Sequence, residues 1–387
     1  MSRRQFLLRS VQALAMAGMG TFGVQAYAGN AISNNHINLG VSVPLTGILA
    51  GAGKAHLEGL KAVLAEVNGR GGIYGREIKL VVADDAYNPK KTAENVSAWL
   101  EKDEVFALIS ILGTPTTAAV AKMLEEKGVP LVGPVTGAPS LRTDAAQNIF
   151  FVRPSYGDEA KRMVQQMTGM GLQRIAIVYL DNGFGEEVKG LMAAELDKAR
   201  VSTAGEYKLA LDGSNGAALA QQLVADKVGA VMLATTGTAN TAFMKPFREL
   251  AAAIPVAGLS VSVISSEFDK LGDAMRGYAA VSLWPDARSM KSATSRLFHA
   301  SMKKAGAPEP FQTSGSSLES WLNMHMMVEG LKRAGKSPSR SSLRSALASI
   351  DSLRLGELNL GYGQSAPFVA SDAIDLTIYG SGGRPVN

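Results

Sequence analysis

Two short turns carry the residues best arranged for chemistry: Gly113-Thr114-Pro115-Thr116-Thr117 and Gly133-Pro134-Val135-Thr136-Gly137. Each follows an apolar run, Phe106 to Leu112 and Val129 to Val132, and the first opens a helical segment that reaches Glu126. The start of a helix suits an anion, because its first N–H groups lack intrahelical acceptors and sit at the positive end of the helix dipole. The Thr114 hydroxyl and the amides of Thr116 and Thr117 are the groups so placed. The alternative is that Thr114 is a plain N-cap and the glycines only make turns. Leu112 and Gly113 on the first turn, with Val135, Thr136 and Gly137 on the second, complete this candidate set.

No residue set for catalysis emerges. Gly47 to Lys54 has five residues between Gly47 and Gly53-Lys54, where a phosphate loop needs four, and Ala55 follows instead of Ser or Thr. Gly51-Ala52-Gly53 fails the dinucleotide fingerprint because His56 stands where its third glycine belongs. His36, His56, His299 and His325 lack metal spacing, and His325 sits among Met324, Met326 and Met327 as a core residue would. There is no Gly-x-Ser-x-Gly nucleophile elbow. Asp84-Asp85 and Glu186-Glu187 are adjacent pairs, which point apart on an element. The sequence therefore predicts no enzyme, no metal and no cofactor.

The turns need a frame. Ile37 to Val43, Glu77 to Ala83, Phe106 to Leu112 and Val129 to Val132 read as strands with helical segments between them. Continuous apolar strands joined through helices imply a parallel sheet, with ligands beyond its carboxyl edge. After Phe150-Phe151-Val152 and Arg153-Pro154 the alternation begins again, through Arg174 to Tyr179, Val201 to Leu209, Ala230 to Ala234 and Ile254 to Leu259. Two similar α/β lobes follow, and 387 residues suit about two domains.

Residues 1–28 read as an export signal: Arg3, Arg4 and Arg9, an apolar stretch, and Ala26-Tyr27-Ala28 as cleavage site. Ser2-Arg3-Arg4-Gln5-Phe6-Leu7 is similar to the twin-arginine signal. Its removal takes three arginines and no acid, lowering the net charge from +5 to +2 and removing the case for nucleic acid. Cysteine is absent, which excludes disulfides, thiolate metal sites and a lipid-modified cysteine. A periplasmic location is expected.

The ordered features resemble the type I periplasmic solute-binding proteins, specifically the Leu/Ile/Val-binding group of ABC importers. The resemblance rests on Ile37 to Val41 with Pro44-Leu45-Thr46-Gly47, and on Asn68 to Gly75 as the Asn-x-x-Gly-Gly-Ile-x-Gly signature. Asp84-Asp85 with Asn88-Pro89, and Arg174 to Val178 with Phe184-Gly185, extend it. It implies two Rossmann-like lobes joined by three hinge crossings, near Val152-Arg153, Leu283-Trp284 and Leu355-Gly356. Lobe 1 then comprises residues 33–152 and 285–355, and lobe 2 residues 153–284 and 356–387. It also implies a small-molecule ligand (amino acid or organic acid), hinge closure, a membrane permease as partner, and the monomer that is usual for the family. A periplasmic sensor of the same fold is the alternative. By position, Thr114, Val135 and Gly137, with the Thr136 hydroxyl beside them, match the family's carboxylate-holding turns, and Phe184 matches its second-lobe aromatic. Thr236 and Ser260 stand where relatives carry a tyrosine and the acid that holds an ammonium. A buried ammonium without a carboxylate is costly, so the expected ligand is an organic acid or weakly polar carboxylate, ahead of a zwitterionic amino acid.

Overall fold

The structure is a computed structural model that describes residues 31–386, so the expected signal at 1–28 lies outside the described residues. The chain opens with β1 (His36–Val43), α1 (Ala50–Gly69), β2 (Glu77–Asp84) and α2 (Pro89–Glu101). Next come β3 (Ala107–Ile109), α3 (Thr114–Lys127), β4 (Leu131–Val132) and β5 (Ile149–Phe151). It then crosses into a second lobe with α4 (Tyr156–Gly169), β6 (Ile175–Leu180), α5 (Gly183–Lys198), β7 (Thr203–Leu209) and α6 (Gly216–Ala225). β8 (Ala230–Ala234), α7 (Gly237–Leu250), β9 (Val256–Gly258), α8 (Ser265–Leu271) and β10 (Tyr278–Ser282) follow. The return brings α9 (Ala293–Lys304), α10 (Glu309–Gln312), α11 (Gly315–Ala334) and α12 (Arg340–Ala348). The last strands are β11 (Leu353–Leu355), β12 (Leu358–Leu360), β13 (Phe368–Val369), β14 (Asp375–Tyr379) and β15 (Pro385–Val386).

Local chemistry sets these elements. Every residue of β6 and β8 is buried, as befits central strands covered by helices on both faces. Asn88 caps α2 by accepting from the Lys90 and Lys91 amides at 2.9 and 3.3 Å, with Pro89 inside the first turn where no N–H is needed. Gly128 ends α3 in the left-handed region.

Each lobe is one sheet with its own core. The first has the order β13-β5-β4-β3-β1-β2, with every pairing parallel. The second runs β15-β14-β10-β9-β8-β6-β7, antiparallel only where β14 meets β10 and β15. Leu39, Val41, Ile109 and Leu322 anchor the first core, and Ile177, Met232, Phe243 and Phe247 the second. A further cluster, around Val96, Val120 and Leu131, includes α2 and α3 residues on the first sheet.

The third crossing is not at Leu355-Gly356. Those residues belong to a hairpin in which Leu355 faces Leu358 across antiparallel β11 and β12, and Gly356 turns at φ 70°. Leu355, Leu360, Tyr362 and Phe368 join the first core, and β13 lies parallel to β5. Residues 356–370 therefore belong with the first lobe. The chain leaves it after Ala370 and enters the second sheet at Asp375. The misplacement has a simple source: an apolar strand broken by glycine looks the same whether the chain reverses or crosses.

Candidate functional site

The two lobes repeat one topology. Along the sheets run β2-β1-β3-β4-β5 and β7-β6-β8-β9-β10, so the winding reverses between β1 and β3 in one lobe and between β6 and β8 in the other. A crevice opens beyond the strand ends at such a point. The loops from the two reversal points line a shared cavity of about 360 Å³.

On the first-lobe side, the two turns are joined. The Thr114 and Thr136 hydroxyls lie 2.7 Å apart, the Gly113 N–H donates to the Val135 carbonyl at 3.2 Å, and Val135 N–H donates to Ile111. Gly113, at φ 109°, is the N-cap of α3, so Thr114 is the first helical residue and not the cap. A side chain at Gly113 would run into Tyr87, with a Cβ only 2.3 Å from its ring. The Thr117 N–H is already bonded to the Gly113 carbonyl, and the Thr116 hydroxyl to the Leu112 and Gly113 carbonyls. Of the anion donors expected from the sequence, the Thr117 amide is therefore spent.

Leu112, Gly113, Thr114 and Val135 line the cavity, as do Phe184, Thr236 and Ser260 from the second lobe. Thr136 and Gly137 do not. Thr136 is fully buried, bridging Thr114 to the Ala138 amide. Gly137 accepts from Tyr156 N–H at 2.7 Å, behind the cavity wall. The Thr236 hydroxyl donates to the Val261 carbonyl, and Phe184 meets Tyr156 edge to face at 5.4 Å.

Ser260 is not an acid-free position. Its N–H and hydroxyl donate to the two Glu159 oxygens at 2.8 and 3.0 Å, and it accepts from the Arg153 guanidinium. Glu159 reaches it from α4, fully buried and outside the cavity lining. Arg153, 1% exposed, lies between Glu159 at 3.5 Å and Glu319 of α11 at 3.6 Å, and so ties together residues of both lobes. Burial raises both carboxylates above their ordinary range, opposed by Arg153. Burial also works against the Arg153 charge, but Glu319, Tyr156 and Glu159 outweigh it and raise the guanidinium. His56, on α1 at the cavity wall, is held down to about 3 by burial and then by Arg153, so it stays neutral. Trp284 completes an apolar side with Leu283 and Ile264.

Arg153, Glu159, Glu319, His56 and Trp284 were not among the expected site residues. They come from four separate stretches of the chain, and only Arg153 and Glu159, six residues apart, are near each other in sequence. The available signal was Arg153 just after a buried strand.

The lobes touch across the cleft. Thr238 N–H donates to the Ile48 carbonyl at 3.2 Å, Ser140 gives two bonds of 2.9 Å to Glu187, and Gly315 N–H donates to the Ser265 hydroxyl at 3.1 Å. Among the described residues, no group of three or more His, Cys, Asp or Glu is placed to hold a metal, and no helix is long and apolar enough to cross a membrane.

Two lobes of matching topology around an interlobe cavity define a bilobal α/β architecture. The sequence profile described as "Periplasmic binding protein" matches residues 36–361. The chain belongs to the type I periplasmic binding proteins, in the Leu/Ile/Val-binding family. It is 26% identical over 196 residues to Leu/Ile/Val-binding protein homolog 3 of Brucella melitensis, a match spanning 50% of this chain and 51% of that protein. Leu/Ile/Val-binding protein BraC3 of Rhizobium johnstonii is 22% identical over 319 residues, or 82% of this chain and 84% of that one. A substrate-binding periplasmic protein from Ralstonia solanacearum superposes with a TM-score of 0.83 at 26% identity, covering 90% of this chain and 99% of the other.

Proposed function

We propose that this protein is the periplasmic solute-binding component of an ABC importer, and that it captures a small carboxylate-bearing solute by closing its lobes. The observation that carries this reading is Thr114 at the head of α3, held in place by the buried Thr136 hydroxyl and lining one wall of a cavity whose other wall belongs to the second lobe. The solute carboxylate meets the Thr114 hydroxyl at the positive end of α3. Its body lies against Leu112, Phe184 and Trp284, which exclude water. Contacts such as Thr238 to Ile48 form only when the lobes meet, so a solute that touches both lobes favours the closed form. The closed surface is then what a membrane permease recognises. Family membership and the relatives' names support transport over chemistry on the solute.

The test is a thermal-shift screen of the purified protein against amino acids, hydroxy acids, and aliphatic and aromatic acids. A solute at about a hundred times its Kd adds roughly 2.7 kcal/mol of stability. Stabilisation by carboxylates, but not by their amides or esters, supports the reading. Stabilisation by none of them overturns it.

A further inference from the structure

The buried charges at the hinge are uneven: one guanidinium serves two carboxylates. Glu159 is fully provided for, since Ser260 donates to both its oxygens and Arg153 lies 3.5 Å away. Glu319 is not. None of the hydrogen bonds among the described residues ends on its carboxylate, and the Arg153 Nη1, itself without a hydrogen-bond partner, lies 3.6 Å from it, beyond hydrogen-bond range. Yet it is 8% exposed and lines the cavity. Its side chain keeps 11% exposure toward the cavity, so a solute that covers it must supply the donors, or the carboxylate is left penalised. His56, also on the wall, has no hydrogen-bond partner at Nδ1 and is neutral, so it does not balance Glu319.

We propose that Glu319 is a specificity-determining residue of the cleft, accepting a hydrogen bond from an N–H or O–H group that the solute carries in addition to its carboxylate. This rests on the carboxylate reading above and narrows it. A second anion on the solute is excluded here, because Arg153 is already shared between two acids. A plain hydrocarbon at this point closes the cleft over an unsatisfied carboxylate. A hydroxyl, amino or amide N–H group satisfies it, and discrimination is strong because a buried hydrogen-bonding group rejects the analogue that lacks its partner. Glu319 thus takes up the task the sequence left empty at Ser260, from the opposite lobe.

Calorimetric titration with matched solutes tests this. Suitable sets are 4-methylpentanoate against its 2-hydroxy and 2-amino derivatives, and benzoate against 3-hydroxy- and 3-aminobenzoate. The donor-bearing member of at least one set is expected to bind about tenfold tighter or more. Glu319→Leu erases that gap by weakening the donor-bearing solute alone. Glu319→Gln, which keeps an acceptor oxygen and the shape, retains the preference for the hydroxyl while reducing that for the amino group. Should Glu319→Leu not fold, Glu319→Gln alone decides. Equal binding of donor-bearing and donor-free acids by the unaltered protein overturns the inference and leaves the carboxylate reading standing. So does an equal loss for both solutes in either variant. Binding of no acid at all removes the carboxylate reading, and this inference with it.

Discussion

The Thr114 hydroxyl lies 2.7 Å from that of Thr136, fastening the head of α3 to the turn after β4. One of the two groups donates, so Thr114 keeps an acceptor or a proton for the cavity. Thr114→Val removes that group with little change in volume. A hydrogen bond to a charged partner is worth about 1.5–3 kcal/mol, so Kd for a bound carboxylate rises roughly 10- to 150-fold. Titration of the variant checks this, and an unchanged Kd would place the anion elsewhere.

Arg153 is the counter-charge for Glu159 and Glu319. Removing one partner of a buried ion pair strands the other at a cost of about 3–5 kcal/mol. Arg153→Met is expected to lower the urea midpoint by a corresponding amount, and Glu159→Gln in the same chain to restore part of it. A variant as stable as the parent shows that the carboxylates are neutral in the fold.

Gly237 sits at φ 66°, and a Cβ there would lie 2.5 Å from the Ile48 carbonyl of the facing lobe. Gly237→Ala should therefore oppose closure more than folding. Backbone strain accounts for about 1–2 kcal/mol, and the clash adds to it only when the lobes meet. Solution scattering with saturating solute is expected to show less compaction than the parent, with Kd raised at least about tenfold.

His325 lies on α11, its ring 4.2 Å from that of Trp321. Burial, then Lys332, lowers it from 6.5 to about 4. The unfolded chain takes up this proton below about 6.5 and the folded one resists until about 4. The contribution is therefore complete above pH 6.5 and lost progressively as pH falls toward 4, about 3 kcal/mol in all. His325→Met should flatten the acid side of a plot of urea midpoint against pH. An unaltered slope between pH 6.5 and 4 would show that the histidine is already charged in the fold.

The two lobes were legible because β6 and β8 are continuous apolar runs bounded by glycine and polar turns, and the turn residues Gly113 and Thr114 stand where such runs end. What stayed hidden depends on approach in space. Nothing in the neighbourhood of Ser260 announces that Glu159, 101 residues earlier, docks onto it. Nor does Glu319 look different in sequence from a solvated helical glutamate, since the covering that buries it comes from other segments. The hairpin at Leu355 was misassigned for a related reason: β13 is only a two-residue strand, too short to leave a pattern that would return the chain to the first sheet.

The placement of β13 and β14 bears on how the molecule is made. Phe368–Val369 borders the first sheet, and Asp375–Tyr379 pairs with β10 in the second. Neither sheet has its full set of strands until this one short segment has been synthesised. A chain stopped near residue 365 would therefore expose an unpaired strand in both lobes at once, with β5 and β10 each left as a template for pairing with another copy. The same late stretch also reaches the cleft, because Thr377 and Tyr379 of β14 line the cavity, so the segment that completes both sheets completes the solute's surroundings as well.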